Sequence, residues 1–378
     1  MDQSLPSHNV YLSLGSNMGH RFENLQNAIN LLFTEVGSIL KISAVYETPA
    51  MGFKGDPFLN CAVWMHVNME PTEVLNSVLK IEKKLGRIRD NSGNYSSRPI
   101  DIDIIFIDDL IIKSEKLTLP HPEMTKRKFV LQPIADLNSG LMHPTFQKNV
   151  IAILDESPDK SELQKQSKWL RNPMKDFTIS KYNYIAIEGN IGAGKTSLAT
   201  KIATDFNAKL ILERFSDNPF LPKFYNDPSR YAFPLEMSFL ADRYQQLVDD
   251  ITQFDLFKDS VVADYDVNKS LIFASITLPN EEYSLYKKLF QMMHKEVPKP
   301  DMYIYLYQNT ERLLANIKNR GRKYEQSIEA EYLQKLNSGY LEFIKNQHSE
   351  NIKIIDISER DFIKNRSDYL AILQQIIS

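Results

Sequence analysis

The chain has 378 residues, 43% of them hydrophobic and 25% charged, with a formal net charge of -3. That length exceeds what one hydrophobic core ordinarily supports, so two domains are expected, and the balanced charge leaves no broad basic surface for a nucleic-acid polymer. The single cysteine, Cys61, excludes an internal disulfide and fits a reducing, cytoplasmic setting; no stretch is apolar for long enough to span a bilayer or has the pattern of an export signal.

From Val10 to about Pro144 the elements read in order as strand (VYLSLGSN), helix (RFENLQNAINLLFTEV), strand (ILKISAVYET), strand (FLNCAVWMHVN), helix (PTEVLNSVLKIEKKLG) and strand (DIDIIFID). This β-α-β-β-α-β order predicts an α+β, ferredoxin-like domain over residues 1–154. Asp155 to Ser180 is polar and interrupted by Pro158 and Pro173, the pattern of a linker. Over residues 181–378 short apolar runs (YIAIEG, KLILER, DSVVADY, MYIYLY, IKIIDI) alternate with longer helical stretches, which predicts an α/β domain with a parallel sheet and helices on both faces.

In RPIDIDIIF, Arg98 to Phe106, residues two apart on a strand face the same way, so Asp101 and Asp103 converge while Ile100, Ile102 and Ile104 point into the core. Adjacent carboxylates repel unless a divalent cation joins them, and Mg²⁺ prefers oxygen ligands while keeping waters and substrate phosphates. A D-x-D strand alone reads equally well as structural, but Arg87 and Arg89 in GRIR, Arg98, His121 and Arg127 add basic groups suited to a polyphosphate. Phe58 and Phe129 read singly as core residues; together they make a sandwich for a flat heterocycle whose edge Asn60 can meet.

This half resembles the 6-hydroxymethyl-7,8-dihydropterin pyrophosphokinase family in GSN (Gly15 to Asn17), YETP (Tyr46 to Pro49), FLN (Phe58 to Asn60), GRIR (Gly86 to Arg89), RPIDIDI (Arg98 to Ile104) and PHPEMTKRKF (Pro120 to Phe129). The resemblance implies attack of the pterin hydroxymethyl oxygen on the β-phosphorus of ATP, moving pyrophosphate and releasing AMP. It implies that Asp101 and Asp103 bind two Mg²⁺ and that Arg87 and Arg98 are catalytic. His121 and Arg127 then contact ATP with Glu82 nearby, and Thr48, Pro49, Phe58, Asn60 and Phe129 bind the pterin. In the loop Asp90 to Ser97, Asn94 and Tyr95 stand where the family has arginine and tryptophan.

The second half opens on EGNIGAGKTS, which fits G-x-x-x-x-G-K-[ST] between an apolar strand and a helical stretch, the context of a P-loop NTPase. Gly189, Asn190, Gly192, Ala193 and Gly194 curl backbone N–H groups around a phosphate, Lys195 neutralises the outer phosphates, and Thr196, with Ser197 beside it, opens a helix whose hydroxyl can hold Mg²⁺. Glu213 follows the next strand and Asp264 the one after, at the sheet edge where such folds bind ligands; Glu213 can take a proton from a hydroxyl and Asp264 can hold Mg²⁺. RGRKYEQ, Arg320 to Gln326, reads alone as an exposed charged turn and, in this company, as a segment whose arginines stabilise a phosphoryl group in flight.

These residues, with FYNDPSRYAFPLEMSFLADRY and SLIFA, resemble the deoxynucleoside kinase family over about Tyr182 to Phe343. The resemblance implies transfer of the ATP γ-phosphate to a deoxynucleoside, with Glu213 activating the 5′-hydroxyl, Tyr225 and Glu325 holding the 3′-hydroxyl, Arg320 and Arg322 at the phosphates, and one Mg²⁺ at Thr196 and Asp264. Glu236 and Arg243 fall at base-reading positions, where the family has a glutamine in place of Glu236. Tyr265 stands where the family has an arginine, and Lys269 near where it has an aspartate, so Glu236 and Lys269 are expected to set base choice. A nucleoside monophosphate kinase or a nucleotide-binding regulatory module remains an alternative for this half. The expected partners are small molecules, ATP, pterin and deoxynucleoside, with neither nucleic acid nor membrane, and a homodimer through the second half is a further expectation.

Overall fold

A computed structural model describes residues 7–50, 55–87, 96–214, 218–252, 258–347 and 351–378. The chain folds as two compact units, Met1–Phe177 and Thr178–Ser378.

The first unit runs β1 (His8–Ser16), α1 (Arg21–Glu35), β2 (Gly37–Ile42), β3 (Tyr46–Thr48), β4 (Phe58–Val67), α2 (Pro71–Lys84), β5 (Asp101–Ile107), β6 (Ile112–Lys113), β7 (Thr118–Leu119), α3 (Lys128–Leu137), β8 (Met142–His143), β9 (Lys148–Asn149), α4 (Val150–Glu156) and β10 (Gln164–Lys165). In its main sheet β1 lies between β4 and β5, both antiparallel to it, and β2 and β3 pair along β4. The expected single strand from Ile39 to Thr48 is therefore two. The Ser43 hydroxyl accepts from the Ala62 amide at 2.8 Å, replacing a ladder partner, and the chain changes course before Tyr46. On one face of the sheet, Tyr11, Ala62, Ile105 and Phe106 pack against Val130, Leu131 and Ile134 of α3.

The stretch expected as a linker, Asp155 to Ser180, belongs to the first unit as far as Phe177. β10 pairs with β3, the Asp159 carboxylate accepts from the Lys128 amide at 2.8 Å, and the Asn172 amide donates to the Ile39 carbonyl at 2.9 Å. Its polar side chains thus satisfy backbone groups of the unit, which a composition-based reading cannot see.

The second unit runs β11 (Tyr184–Gly189), α5 (Lys195–Asp205), β12 (Lys209–Ile211), α6 (Leu221–Asn226), α7 (Pro228–Thr252), β13 (Val261–Ala263), α8 (Lys269–Thr277), α9 (Asn280–Met293), β14 (Met302–Tyr307), α10 (Thr310–Arg320), α11 (Ala330–Lys345), β15 (Ile352–Asp356) and α12 (Arg366–Ile377). Its five strands are all parallel, in the order β12-β13-β11-β14-β15. β11 and β14 are buried almost throughout, as expected of central strands covered on both faces. The order sets the carboxyl ends of β11, β13 and β12 side by side, and the cradle, Asp264 and Glu213 follow those ends. Among the described residues of the chain no helix is long and apolar enough to cross a membrane.

Candidate active sites

In the first unit, register decides which side chains meet. Thr48 pairs with Phe58, Asn60 with Gly15, Gly15 with Asp101, and Ser13 with Asp103. Cross-strand partners share a face, and so do residues two apart, so Thr48, Phe58, Asn60, Asp101 and Asp103 all stand on one side of the sheet. Gly15 lies at the centre of this row. A methyl group there would come within 3.1 Å of Asn60 Oδ1 and 3.4 Å of the Phe58 ring, so its bare backbone keeps that surface flat. Asn60 and Thr48 are buried and joined, the amide donating to the Thr48 hydroxyl at 2.8 Å. Pro49 is exposed at the end of β3.

Asp101 is held by cations: Arg87 bonds both it and the buried Glu82, and the Arg98 guanidinium lies 3.1 Å from its other oxygen. Glu82 also accepts from the Ile102 amide at 2.9 Å, fixing the start of β5. Burial, and then the charge of Asp101, push Asp103 up to about 7, against the pull of Arg127. The His121 ring is held below its usual value by burial and by Arg127, and its Nδ1 accepts from the Glu123 amide at 3.3 Å, so the neutral ring carries its proton on Nε2. Two guanidinium–ring contacts connect the basic and aromatic groups, Arg98 over Phe58 at 5.8 Å and Arg127 over Phe129 at 6.0 Å. Asn17 ties the site together: its Oδ1 accepts from the Arg98 amide at 2.8 Å and its amide nitrogen donates to Ser97 at 3.0 Å. Arg89, Asn94 and Tyr95 lie outside the described residues.

In the second unit Gly192 and Gly194 have φ of +81° and +84°, a region that favours glycine, and α5 begins directly after Gly194. The Lys195 ammonium donates to the Asn190 carbonyl at 2.9 Å, and burial together with the like charge of Lys269 pushes it down to about 8. Asp264 joins two parts, accepting from the Thr196 hydroxyl and from the Glu213 amide, the latter at 2.8 Å. Both Glu213 oxygens are engaged, one by Arg243 Nε at 2.8 Å and the other by Lys269 Nζ at 2.6 Å. Burial raises the Glu213 carboxyl, but Lys269 and Arg243 outweigh it and hold the group well below the usual carboxylate range.

The second unit is matched over residues 185–378 by the family described as deoxynucleoside kinase, and the first over residues 11–139 by that of 7,8-dihydro-6-hydroxymethylpterin-pyrophosphokinase. A deoxyguanosine kinase of Bacillus subtilis is 39% identical over 197 residues, 51% of this chain and 95% of that protein. A 2-amino-4-hydroxy-6-hydroxymethyldihydropteridine pyrophosphokinase of Porphyromonas gingivalis is 44% identical over 138 residues, 36% of this chain and 93% of that protein. The chain belongs to both families. A deoxyadenosine kinase of Dictyostelium discoideum is also similar to the kinase unit, at 35% identity over 187 residues, 48% of this chain and 74% of that protein.

Within the kinase unit one cavity is lined by Lys195, Thr196, Glu213, Asp264, Arg320 and Arg322 and also by Tyr225, Glu236, Arg243 and Glu325. Three details depart from the sequence reading. Lys269, expected beside Glu236 in base choice, is bonded to Glu213 instead, because α8 starts next to the end of β12. Arg320 and Arg322 both bond Glu325, so the arginines expected at phosphate and the acid expected at the 3′-hydroxyl form one cluster. The Asn190 side chain faces α11, donating to Leu333 O and Asn337 Oδ1, each at 2.8 Å, so only its backbone remains for a phosphate. Ala193 is buried, and Ser197 is half-buried in the first turn of α5. Sequence reading passed over Glu188, fully buried, which accepts from the Asp266 amide at 2.7 Å and the Tyr340 hydroxyl at 2.9 Å. Its one local signal is an acid inside an apolar strand.

Proposed function

We propose that the residues gathered on each unit carry out the transfers that the two families name. The chain is bifunctional, a pyrophosphokinase of folate synthesis joined to a deoxynucleoside kinase, and ATP is co-substrate for both. The first unit reads as ferredoxin-like, supported by its order of strands around β1.

For pyrophosphoryl transfer, the supporting observation is the single row of Thr48, Phe58, Asn60, Gly15, Asp101 and Asp103 across four paired strands. The pterin lies flat on the surface that Gly15 keeps open, its edge against Asn60 and Thr48 and its face against Phe58 and Phe129, with its hydroxymethyl group toward Asp101. Arg87, Arg98, Arg127 and the Nε2 proton of His121 surround the triphosphate. For γ-phosphoryl transfer, Glu213 accepts the 5′-hydroxyl proton, Lys195 and the cradle hold the β- and γ-phosphates, and Arg320 and Arg322 leave Glu325 for the charge in flight.

Both sites fit Mg²⁺. Each offers hard carboxylate or hydroxyl oxygens in pairs, Asp101 with Asp103 and Thr196 with Asp264, the donor type that Mg²⁺ prefers. Asp101 and Asp103 would hold two Mg²⁺ and Thr196 with Asp264 one, and the ions would supply neutralisation of phosphate charge there.

Chromatography of nucleotide products tests both assignments at once. ATP with the hydroxymethyl pterin should give AMP, and ATP with a deoxynucleoside should give ADP. ADP from the pterin reaction, or turnover of no deoxynucleoside, would defeat the corresponding assignment. Lys269→Met should lower kcat for the deoxynucleoside by about 10 to 100-fold with a smaller change in KM, since it removes a cation from the Glu213 carboxylate beside the reacting hydroxyl. Steady-state kinetics of that variant, with Lys269→Arg as the restoring control, checks this.

A further inference from the structure

Glu236 has a different character from Glu213. It is 2% exposed and lines the same cavity, yet its carboxylate is only half satisfied. Oε1 accepts from the Thr277 hydroxyl at 3.0 Å, while the buried Oε2 has no hydrogen-bond partner among the described residues. A buried carboxylate oxygen without a donor is unfavourable, so a donor arriving with the substrate gains unusually from meeting it. Glu236 and Arg243 are seven residues apart on α7, two turns or roughly 10 Å, and Arg243 is bonded to Glu213. Glu236 and Glu213 line one cavity, with Phe224, Phe239 and Phe273 among its walls for a flat ring.

We propose that Glu236 selects the base, its carboxylate accepting the two adjacent N–H donors at N1 and N2 of guanine, so that deoxyguanosine is the preferred acceptor. This rests on the kinase reading above and deepens it. An ionised carboxylate only accepts. Adenine sets a donor at N6 beside an acceptor at N1, cytosine does the same with N4 and N3, and thymine has one donor between two carbonyls. Only guanine offers two donors side by side.

The groups that act on Glu236 are Arg243 on its own helix, Lys269 and Thr277 on α8, Glu213 beyond β12, and the Tyr225, Tyr286 and Tyr332 hydroxyls from α6, α9 and α11. Burial pushes Glu236 up to about 7, against the pull of Arg243, Thr277 and Lys269. The protonated form both donates and accepts, which matches adenine, so guanine preference should strengthen as pH rises.

The test measures kcat/KM for deoxyguanosine, deoxyadenosine and deoxyinosine at about pH 6 and about pH 8, spanning the Glu236 value. Deoxyguanosine should lead deoxyadenosine by about tenfold or more at the higher pH, with a smaller ratio at the lower, and deoxyinosine, lacking the N2 donor, should fall between them. Glu236→Gln, with one donor and one acceptor, should lower the ratio by about tenfold and remove its pH dependence. A ratio unchanged in Glu236→Gln, or deoxyadenosine preferred by the unaltered protein at both pH values, overturns the proposal. Should the variant not fold, the ratio of the unaltered protein against pH and the deoxyinosine result decide it alone. Failure to phosphorylate any deoxynucleoside overturns the kinase reading itself, and this proposal with it.

Discussion

Replacing Glu213 by Gln is expected to lower kcat for deoxynucleoside phosphorylation by about 10³-fold while pyrophosphoryl transfer to the pterin continues unchanged. The carboxylate is a weak base, because Lys269 and Arg243 hold it far below the usual range. Weakness suits the reaction. In a loose phosphoryl-transfer transition state the attacking hydroxyl loses its proton late, so an ionised acceptor fixed in place matters more than intrinsic basicity. Arg243 Nε at 2.8 Å and Lys269 Nζ at 2.6 Å provide that fixation, and the Glu213 amide bonded to Asp264 adds a third restraint. Glutamine keeps the shape but has one acceptor oxygen for two cationic donors, so one cation would face an NH₂ group. The variant should therefore also lose about 1–3 kcal/mol of stability in the kinase unit, visible in thermal melting. ADP and AMP formation measured on one preparation separates the cases. Loss of both products from protein that still melts cooperatively would contradict two independent sites.

What the sequence could disclose was chemistry carried by short spacing. The two-residue period of RPIDIDIIF puts Asp101 and Asp103 on one face, and the described strand has them there while Ile100, Ile102 and Ile104 are buried. The glycine spacing of the cradle likewise foretells its left-handed turns at Gly192 and Gly194. Contacts that depend on register were not legible. Gly15, Asn60 and Asp101 become neighbours only because β1 lies between β4 and β5, and no local pattern announces which glycine must stay bare. Lys269 and Glu213 are 56 residues apart and meet only through the strand order. Composition misled at Asp155 to Phe177, where a polar segment proved to be the outer strand and caps of the first unit. The orphaned oxygen of Glu236 is the extreme case, since a missing partner leaves no trace in a sequence.

Asp103→Asn is expected to abolish pterin pyrophosphorylation, by about 10³-fold or more, and at the same time to stabilise the protein measured without nucleotide or metal. Burial and the neighbouring Asp101 push Asp103 up to about 7, so its ionised form weighs against the fold. The sign follows from linkage: a carboxyl whose folded value lies above its unfolded value costs nothing while protonated in both states. The cost grows as pH rises from about 4 and levels off above about 7. The stability gained by Asp103→Asn should then be absent near pH 4 and on the order of 1–2 kcal/mol near pH 8, where the neutral amide no longer opposes Asp101. Asp101→Asn should behave differently. Asp101 is the common partner of Arg87 and Arg98, so its loss leaves two guanidinium groups facing each other and should destabilise the unit as well as inactivate it. Chemical denaturation across that pH range, with AMP and ADP assays alongside, distinguishes the two. Both variants should retain deoxynucleoside phosphorylation, and a stabilised Asp103→Asn that still forms AMP at the original rate would remove the acidic pair from the reaction. If instead Asp103→Asn is destabilised at every pH, the carboxylate is answering to a structural cation demand rather than repelling its neighbour.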